Sequence, residues 1–297
     1  MHQNHNFSIY AALAGTMLIW GVSFVATKYL LGFMTPITYM AVRFAVAAVL
    51  FTGILMYYGL PRFNRRVHLL VLVTALAEPV AYFIFESYGL NFTTASKASL
   101  IIATIPVMVM VAARVFLGEP VSTRGIWSVL VSMAGIALVV LGDPDVSLSQ
   151  PGSMVGDLLV FGAVISASAY ITMARHVGKT NSTVHITAMQ ILYGALVFVI
   201  LWLFQSPDAK RMSLDGAGWA ALLFLAGGAT IGAFLLYNYA LSHVHAGEAA
   251  LFINAIPVIT AITARFFLNE RLSVVQIAGA VLVIAAVTWS RRPQRVT

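Results

Sequence analysis

Cysteine is absent from the chain, which excludes disulfides, thiolate metal sites and a cysteine nucleophile. Charge is scarce too: Asp, Glu, Lys and Arg make up 9% of the 297 residues, against about 25% in a soluble domain. So thin a supply of charge cannot cover an ordinary water-facing surface. Linker composition is confined to one place, the Pro/Gly/Ser-rich stretch Gly142 to Gly156. No zinc-binding motif, no GxSxG elbow and no catalytic dyad at helical spacing occurs, so an enzyme, a metal and a cofactor are not expected. The net charge of +7 comes from basic residues scattered over short loops, a pattern that does not suit nucleic acid.

What is present is apolar. Hydrophobic residues make up 60% of the chain, where roughly 45 to 50% is usual. They fall in ten segments, near Ser8 to Leu30, Ile37 to Tyr58, Val67 to Tyr88, Thr94 to Leu117, Thr123 to Leu141, Val155 to Arg175, Val184 to Phe204, Gly216 to Ser242, Ala246 to Leu268 and Ser273 to Ser290. At about 20 residues per span, these predict an all-α polytopic membrane protein of ten transmembrane helices. Met1 to Phe7 carries no Lys or Arg and the run behind it exceeds a signal-peptide core, so it is read as the first span.

The stretch Tyr88 to Glu119 is written again at Tyr239 to Glu270; slid by 151 positions, 14 of 32 residues are identical, among them Pro106/Pro257, Arg114/Arg265 and Glu119/Glu270. A duplication across five spans inverts the second copy in the membrane, so the fold expected is two inverted five-helix repeats, 1–142 and 155–297, joined by an external linker at 143–154. Segments four and nine are expected to cross near their prolines. Lys and Arg beside the spans favour cytoplasmic termini: Arg62, Arg65, Arg66, Arg114, Arg124, Arg175, Lys179, Arg291, Arg292 and Arg295 then lie inside, and Lys28, Lys97, Lys210, Arg211, Arg265 and Arg271 outside.

Polar residues at membrane depth mark the candidate site. In segment three Glu78, Tyr82 and Glu86 recur every four residues and are predicted to share one helical face, with Pro79 kinking the helix. A structural ion pair with Arg43 or Lys97 is the competing reading of the two acids. Arg43 in segment two is expected to face a partner or a water-filled cavity, or to snorkel, and Gln190 is read as standing in its place in segment seven. Trp20, Ser23, Ser99, Tyr170, Phe234, Tyr237, Asn238 and Asn254 complete a mostly aromatic lining with a few hydrogen-bonding groups. Glu86 is expected to be its principal charged group, binding a substrate amine or exchanging a proton. Ser128, Ser132, Gly135 and Gly279 mark segments five and ten as structural. His243 and His245 are read as two solvated histidines.

With these residues in view, the sequence resembles the ten-helix EamA branch of the drug/metabolite transporter superfamily over nearly its whole length. The resemblance rests on WGVSF at Trp20, the paired stretches ending in LGE at Glu119 and LNE at Glu270, and QIAG at Gln276 to Gly279; in segment five Gly125 and Ser128 replace the Gln and Gly of the family's Q-x-x-G. It implies a multi-pass inner-membrane secondary transporter, an exporter of small metabolites such as amino acids, with a central cavity bounded by segments three, four, eight and nine. The expected partners are a small-molecule substrate and the lipid bilayer, with the chain a monomer or homodimer. A lipid translocase or a non-transporting membrane partner is the alternative.

Overall fold

A computed structural model describes residues 2–89, 92, 101–141, 153–268 and 273–290. Ten helical spans can be followed among them. We label them α1 (His2–Leu31), α2 (Pro36–Tyr58), α3 (Arg65–Gly89), α4 (Ile105–Leu117), α5 (Thr123–Leu141), α6 (Ser153–Gly178), α7 (Thr183–Leu203), α8 (Gly216–His243), α9 (Ala246–Leu251, Phe252–Ala255 and Ile256–Leu268 in succession) and α10 (Val274–Ser290). Six of them, α1, α2, α3, α6, α7 and α8, are long and apolar enough to cross a membrane, and the shorter apolar helices belong to α4, α5, α9 and α10. The protein is an all-helical polytopic membrane protein.

Local chemistry sets the helix ends. Thr35 precedes Pro36 and accepts from the Thr38 amide, so α2 opens with a side-chain cap and a proline in its first turn. Asn64 caps α3 through the Val67 amide at 2.9 Å, and Asp215 caps α8 through the Gly218 amide at 2.7 Å while accepting from the Tyr29 hydroxyl. Gly118, at φ 66°, ends α4 in the left-handed conformation that a side chain would disfavour.

The packing is two-fold between halves. Helix α2 lies on α7 and α5 on α10, each beside its own counterpart; α3 packs on α6 as α8 packs on α1, and α4 packs on α6 as α9 packs on α1. Five spans in each half put that two-fold axis in the membrane plane. Small residues allow the closest crossings. A Cβ on Gly135 of α5 would sit 2.8 Å from the Gly279 carbonyl oxygen of α10, and a Cβ on Gly21 of α1 would collide with Ile259 of α9. Helices α4 and α9 meet where Met110 abuts Gly247.

Two helices break, at matching places. In α3 the turn Leu76–Ala81 is a π-helix, with Glu78 extended at φ −146°, ψ 123° just before Pro79. In α8 the π segment is Phe224–Gly232, and the 151-residue shift drops the first break inside the second. Such breaks expose backbone groups at membrane depth, where only protein or a cavity can satisfy them. The Ala229 carbonyl accepts from Trp20 Nε1 at 3.2 Å, and the Leu225 carbonyl accepts from the Thr230 hydroxyl at 2.9 Å.

Candidate functional site: a polar and aromatic cluster at the helix breaks

Trp20 of α1 reaches the second break and carries the aromatic part of the cluster with it. Its ring lies 5.1 Å from Tyr237 and 5.6 Å from Phe234, and Tyr170 of α6 lies 6.0 Å from Phe234. Behind the rings runs a buried hydrogen-bond chain. The Tyr170 hydroxyl donates to Asn238 Oδ1 at 3.0 Å, and Asn238 Nδ2 donates to Thr187 at 2.9 Å and to Gln190 Oε1 at 2.7 Å. Two buried groups of this cluster, the Tyr237 hydroxyl and Gln190 Nε2, have no hydrogen-bond partner among the described residues. Buried polar groups are normally paired, so these two are the unused hydrogen-bonding capacity of the cluster.

Two carboxylates of α3 stand beside this chain, Glu78 near Tyr170 and Tyr237 and Glu86 next to Glu78. Tyr82 donates to Glu86 Oε1 at 3.0 Å. Glu78 is buried, with 7% of its surface exposed, and makes no hydrogen bond or ion pair among the described residues. It lies close enough to Tyr82, Tyr170 and Tyr237 to act on each electrostatically. The unbroken stripe expected for Glu78, Tyr82 and Glu86 is corrected here: only Tyr82 and Glu86 keep helical i, i+4 geometry, because the extended backbone at Glu78 interrupts the repeat.

Arg43 is buried, with 2% of its surface exposed. Its Nε donates to Thr230 at 2.7 Å and its Nη1 to the Tyr39 hydroxyl at 2.7 Å, with the guanidinium carbon 4.8 Å from the Phe83 ring centre. The arginine thus ties α2 to the break in α8, and it does not snorkel. Its charge acts on both Glu78 and Glu86, but neither acid forms an ion pair with it; Lys97 lies outside the described residues. The placing of Gln190 opposite Arg43 is also corrected. Contacts follow the 151-residue shift, under which Arg43 and Thr230 become Gly194 and Pro79, and a Cβ on Gly194 would lie 2.7 Å from the Pro79 ring. All three charges of the cluster therefore belong to the first half, with Gly194, Ala229 and Tyr237 in their places in the second.

Trp20, Tyr170, Phe234, Tyr237 and Asn238 come together, with Glu78 near the two tyrosines and Tyr82 and Glu86 beside Glu78. Ser23 turns back on its own helix and donates to the Trp20 carbonyl at 2.7 Å. Asn254 stands apart, donating to Ser132 of α5 at 2.6 Å, and Ser99 lies outside the described residues. Sequence reasoning missed Thr187, Thr230 and Tyr39. A signal existed for the first, since Thr187 and Gln190 stand one turn apart in a largely apolar helix.

A second polar knot closes one end of the bundle. Glu119, just past α4, accepts from Arg175 Nε at 3.0 Å and from the Ala246 amide at 2.8 Å, and lies 3.3 Å from His245 Nδ1. Arg175 also donates to the Leu241 carbonyl at 2.9 Å. One carboxylate thus joins the ends of α4, α6 and α8 to the start of α9. Burial pushes the Glu119 carboxyl up, but the hydrogen bonds from Arg175, from the Ala246 amide and from His245 outweigh it and hold it below its ordinary value. His245 stays exposed, as the solvated reading expects, while making this contact. His243 instead bonds the Tyr239 carbonyl at 2.8 Å.

Inverted helical repeats with interrupted helices around buried polar groups define the class of membrane transport proteins. The profile of the EamA-like transporter family matches residues 7–141 and 154–292, and the chain belongs to that family, within the drug/metabolite transporter superfamily. It is similar to the uncharacterized transporters YyaM and YcxC of Bacillus subtilis, with 24% identity covering 95% of this chain and 93% of YyaM, and 28% identity covering 94% of this chain and 91% of YcxC. An uncharacterized transporter of Archaeoglobus fulgidus is 28% identical over 95% of this chain and 96% of its own. A crystal structure of 17% identity superposes over 96% of each chain with a TM-score of 0.82, which shows the shared fold. The protein is a multi-pass membrane transporter.

Proposed function

We propose that this transporter is a secondary carrier that exports small organic metabolites, amino acids among them, across the cytoplasmic membrane by alternating access between repeats 1–142 and 155–297. The observation that carries the reading is Glu78, a buried acid without a hydrogen-bond or ion-pair partner among the described residues, set at a helix break beside Glu86 and three tyrosines. An ionised carboxylate in that position is held only at a cost of several kcal/mol, so it is neutralised by a proton or by a cationic group such as a substrate amine. Glu86, already bonded to Tyr82, shares the same wall. Trp20, Phe234 and Tyr237 supply apolar surface for the rest of the substrate, and the Gln190 amide and Tyr237 hydroxyl supply hydrogen bonds. The cluster draws on both halves of the chain, as alternating access requires.

The test is flux into proteoliposomes across an amino-acid and metabolite panel, measured against pH for the wild type, Glu78→Gln, Glu86→Gln and Glu86→Ala. Removing a working carboxylate is expected to lower flux by tenfold or more, or to flatten its pH dependence, with membrane insertion unchanged. Wild-type flux at every pH in all three variants would make both acids architectural and sink this reading of the site.

A further inference from the structure

Arginine at the far end of the duplicated stretch has no part in the cluster above. Arg114 sits in the last turn of α4, in the π segment Ala113–Leu117. It is exposed and forms no hydrogen bond or ion pair among the described residues. It lines a groove of about 330 Å³ between α4 and α5 whose other lining is apolar, with Met110, Val111 and Val115 from α4 and Ile126 and Leu130 from α5. Val111 is 56% exposed and Val115 68%, so the groove opens outward, away from the polar cluster. Water does not cover such a surface in a membrane protein; lipid chains do.

We propose that this groove binds an anionic phospholipid, with a stretch of acyl chain between α4 and α5 and the phosphate on the Arg114 guanidinium. Charge complementarity chooses this occupant. A guanidinium at the end of a span, beside apolar walls and without a counter-ion among the described residues, meets its planar donor fork with a phosphate at headgroup depth. The same membrane face, where α2, α4 and α6 end, also exposes Arg62, Arg65, Arg66 and Lys179, and basic clusters there draw anionic lipid. The groove adjoins the Glu119 knot. Met110 also abuts Gly247 at the start of α9, and the end of α4 carries Glu119 and its bonds to Arg175 and Ala246. A bound lipid therefore braces the helix end that the Glu119 knot holds. The assignment does not depend on which solute is carried.

Native mass spectrometry of the delipidated full chain, titrated with phosphatidylglycerol or phosphatidylcholine of identical acyl chains, tests it. Wild-type protein is expected to hold the first bound phosphatidylglycerol about fivefold more tightly than phosphatidylcholine, the contribution of one arginine near the membrane surface. Arg114→Gln is expected to bring the two lipids to parity, Arg114→Lys to keep part of the preference, and Arg66→Gln to leave it intact. Val111→Trp, which fills the groove while leaving the arginine, is expected to weaken retention of both lipids. Thermal unfolding in phosphatidylcholine alone identifies any variant that fails to fold, and Arg114→Lys then carries the comparison. An undiminished preference in Arg114→Gln overturns the proposal. So does displacement of the lipid by inorganic phosphate, which would mark a free-anion site, and so does a wild-type dimer that Val111→Trp separates, which would mark a subunit interface.

Discussion

Glu119 illustrates how much of a residue's role lies outside its own neighbourhood. The repeat flags it, since LGE at the end of the first stretch answers LNE at the end of the second, but its partners Arg175 and Ala246 stand 56 and 127 positions away. Local pattern carries no information about such pairs, whereas the pairing of Tyr82 with Glu86 is legible from their spacing of one helical turn. Thr187, Gln190 and Asn238 fall between these cases: each is visible as a polar residue in an apolar helix, and their joining is not. The Glu119 carboxyl is held below its ordinary value of 4.5, so it contributes stability that is fully present above that value and is lost as pH falls through its lowered folded value. In Glu119→Gln that acid-sensitive component is absent, and at neutral pH the unpaired Arg175 costs about 3 kcal/mol or more, as for other broken buried pairs. Thermal unfolding in detergent, followed from neutral pH down through the carboxylate range, checks both points. A variant as stable as the wild type at neutral pH, or equally acid-sensitive, would show that the knot does not stabilise the bundle.

Helices are easier to read from the sequence than their irregularities. Ten apolar runs follow from composition, and Pro79 signals a kink in α3. The matching π segment in α8 carries no proline within Phe224–Gly232 and only its glycines hint at it; its carbonyls are met by a tertiary bond from Trp20 and by a local one from Thr230. The small residues of α5 and α10 are legible as packing surfaces, and the structure places them against each other within one chain. Gly135→Ala is expected to cost about 1 to 3 kcal/mol, the range for overpacking, because the new methyl meets the Gly279 carbonyl oxygen at 2.8 Å and the Val283 amide nitrogen at 3.0 Å, both backbone atoms that cannot swing away. Gly53→Ala, with nothing within 4 Å of its added carbon, is the control and is expected to stabilise the exposed helix by a few tenths to about 1 kcal/mol. Denaturation in mixed micelles compares the two. Equal stabilities would mean that α5 and α10 do not depend on that close crossing.

At the scale of the whole molecule, the duplication is the strongest signal, because an identical shift aligns residues, helix breaks and contacts alike. Its consequence for topology can be tested at two loop positions 151 apart. Arg62 lies between α2 and α3, and Ser213 between α7 and α8. With five spans per half, equivalent loops face opposite sides of the membrane. Lys and Arg placed beside the spans favour the Arg62 loop inside, since it carries Arg62, Arg65 and Arg66 within a few residues, whereas the Ser213 loop sets Lys210 and Arg211 beside Asp208 and Asp215. The natural absence of cysteine makes the experiment direct, because a single introduced thiol is the only one in the chain. In intact cells a membrane-impermeant maleimide is expected to label Ser213→Cys and to spare Arg62→Cys until the membrane is opened. Labelling of the opposite one alone would keep the inverted repeat and reverse the orientation. Labelling of both from the same side would refute the inversion itself, and with it any carrier mechanism that exchanges the roles of the two halves.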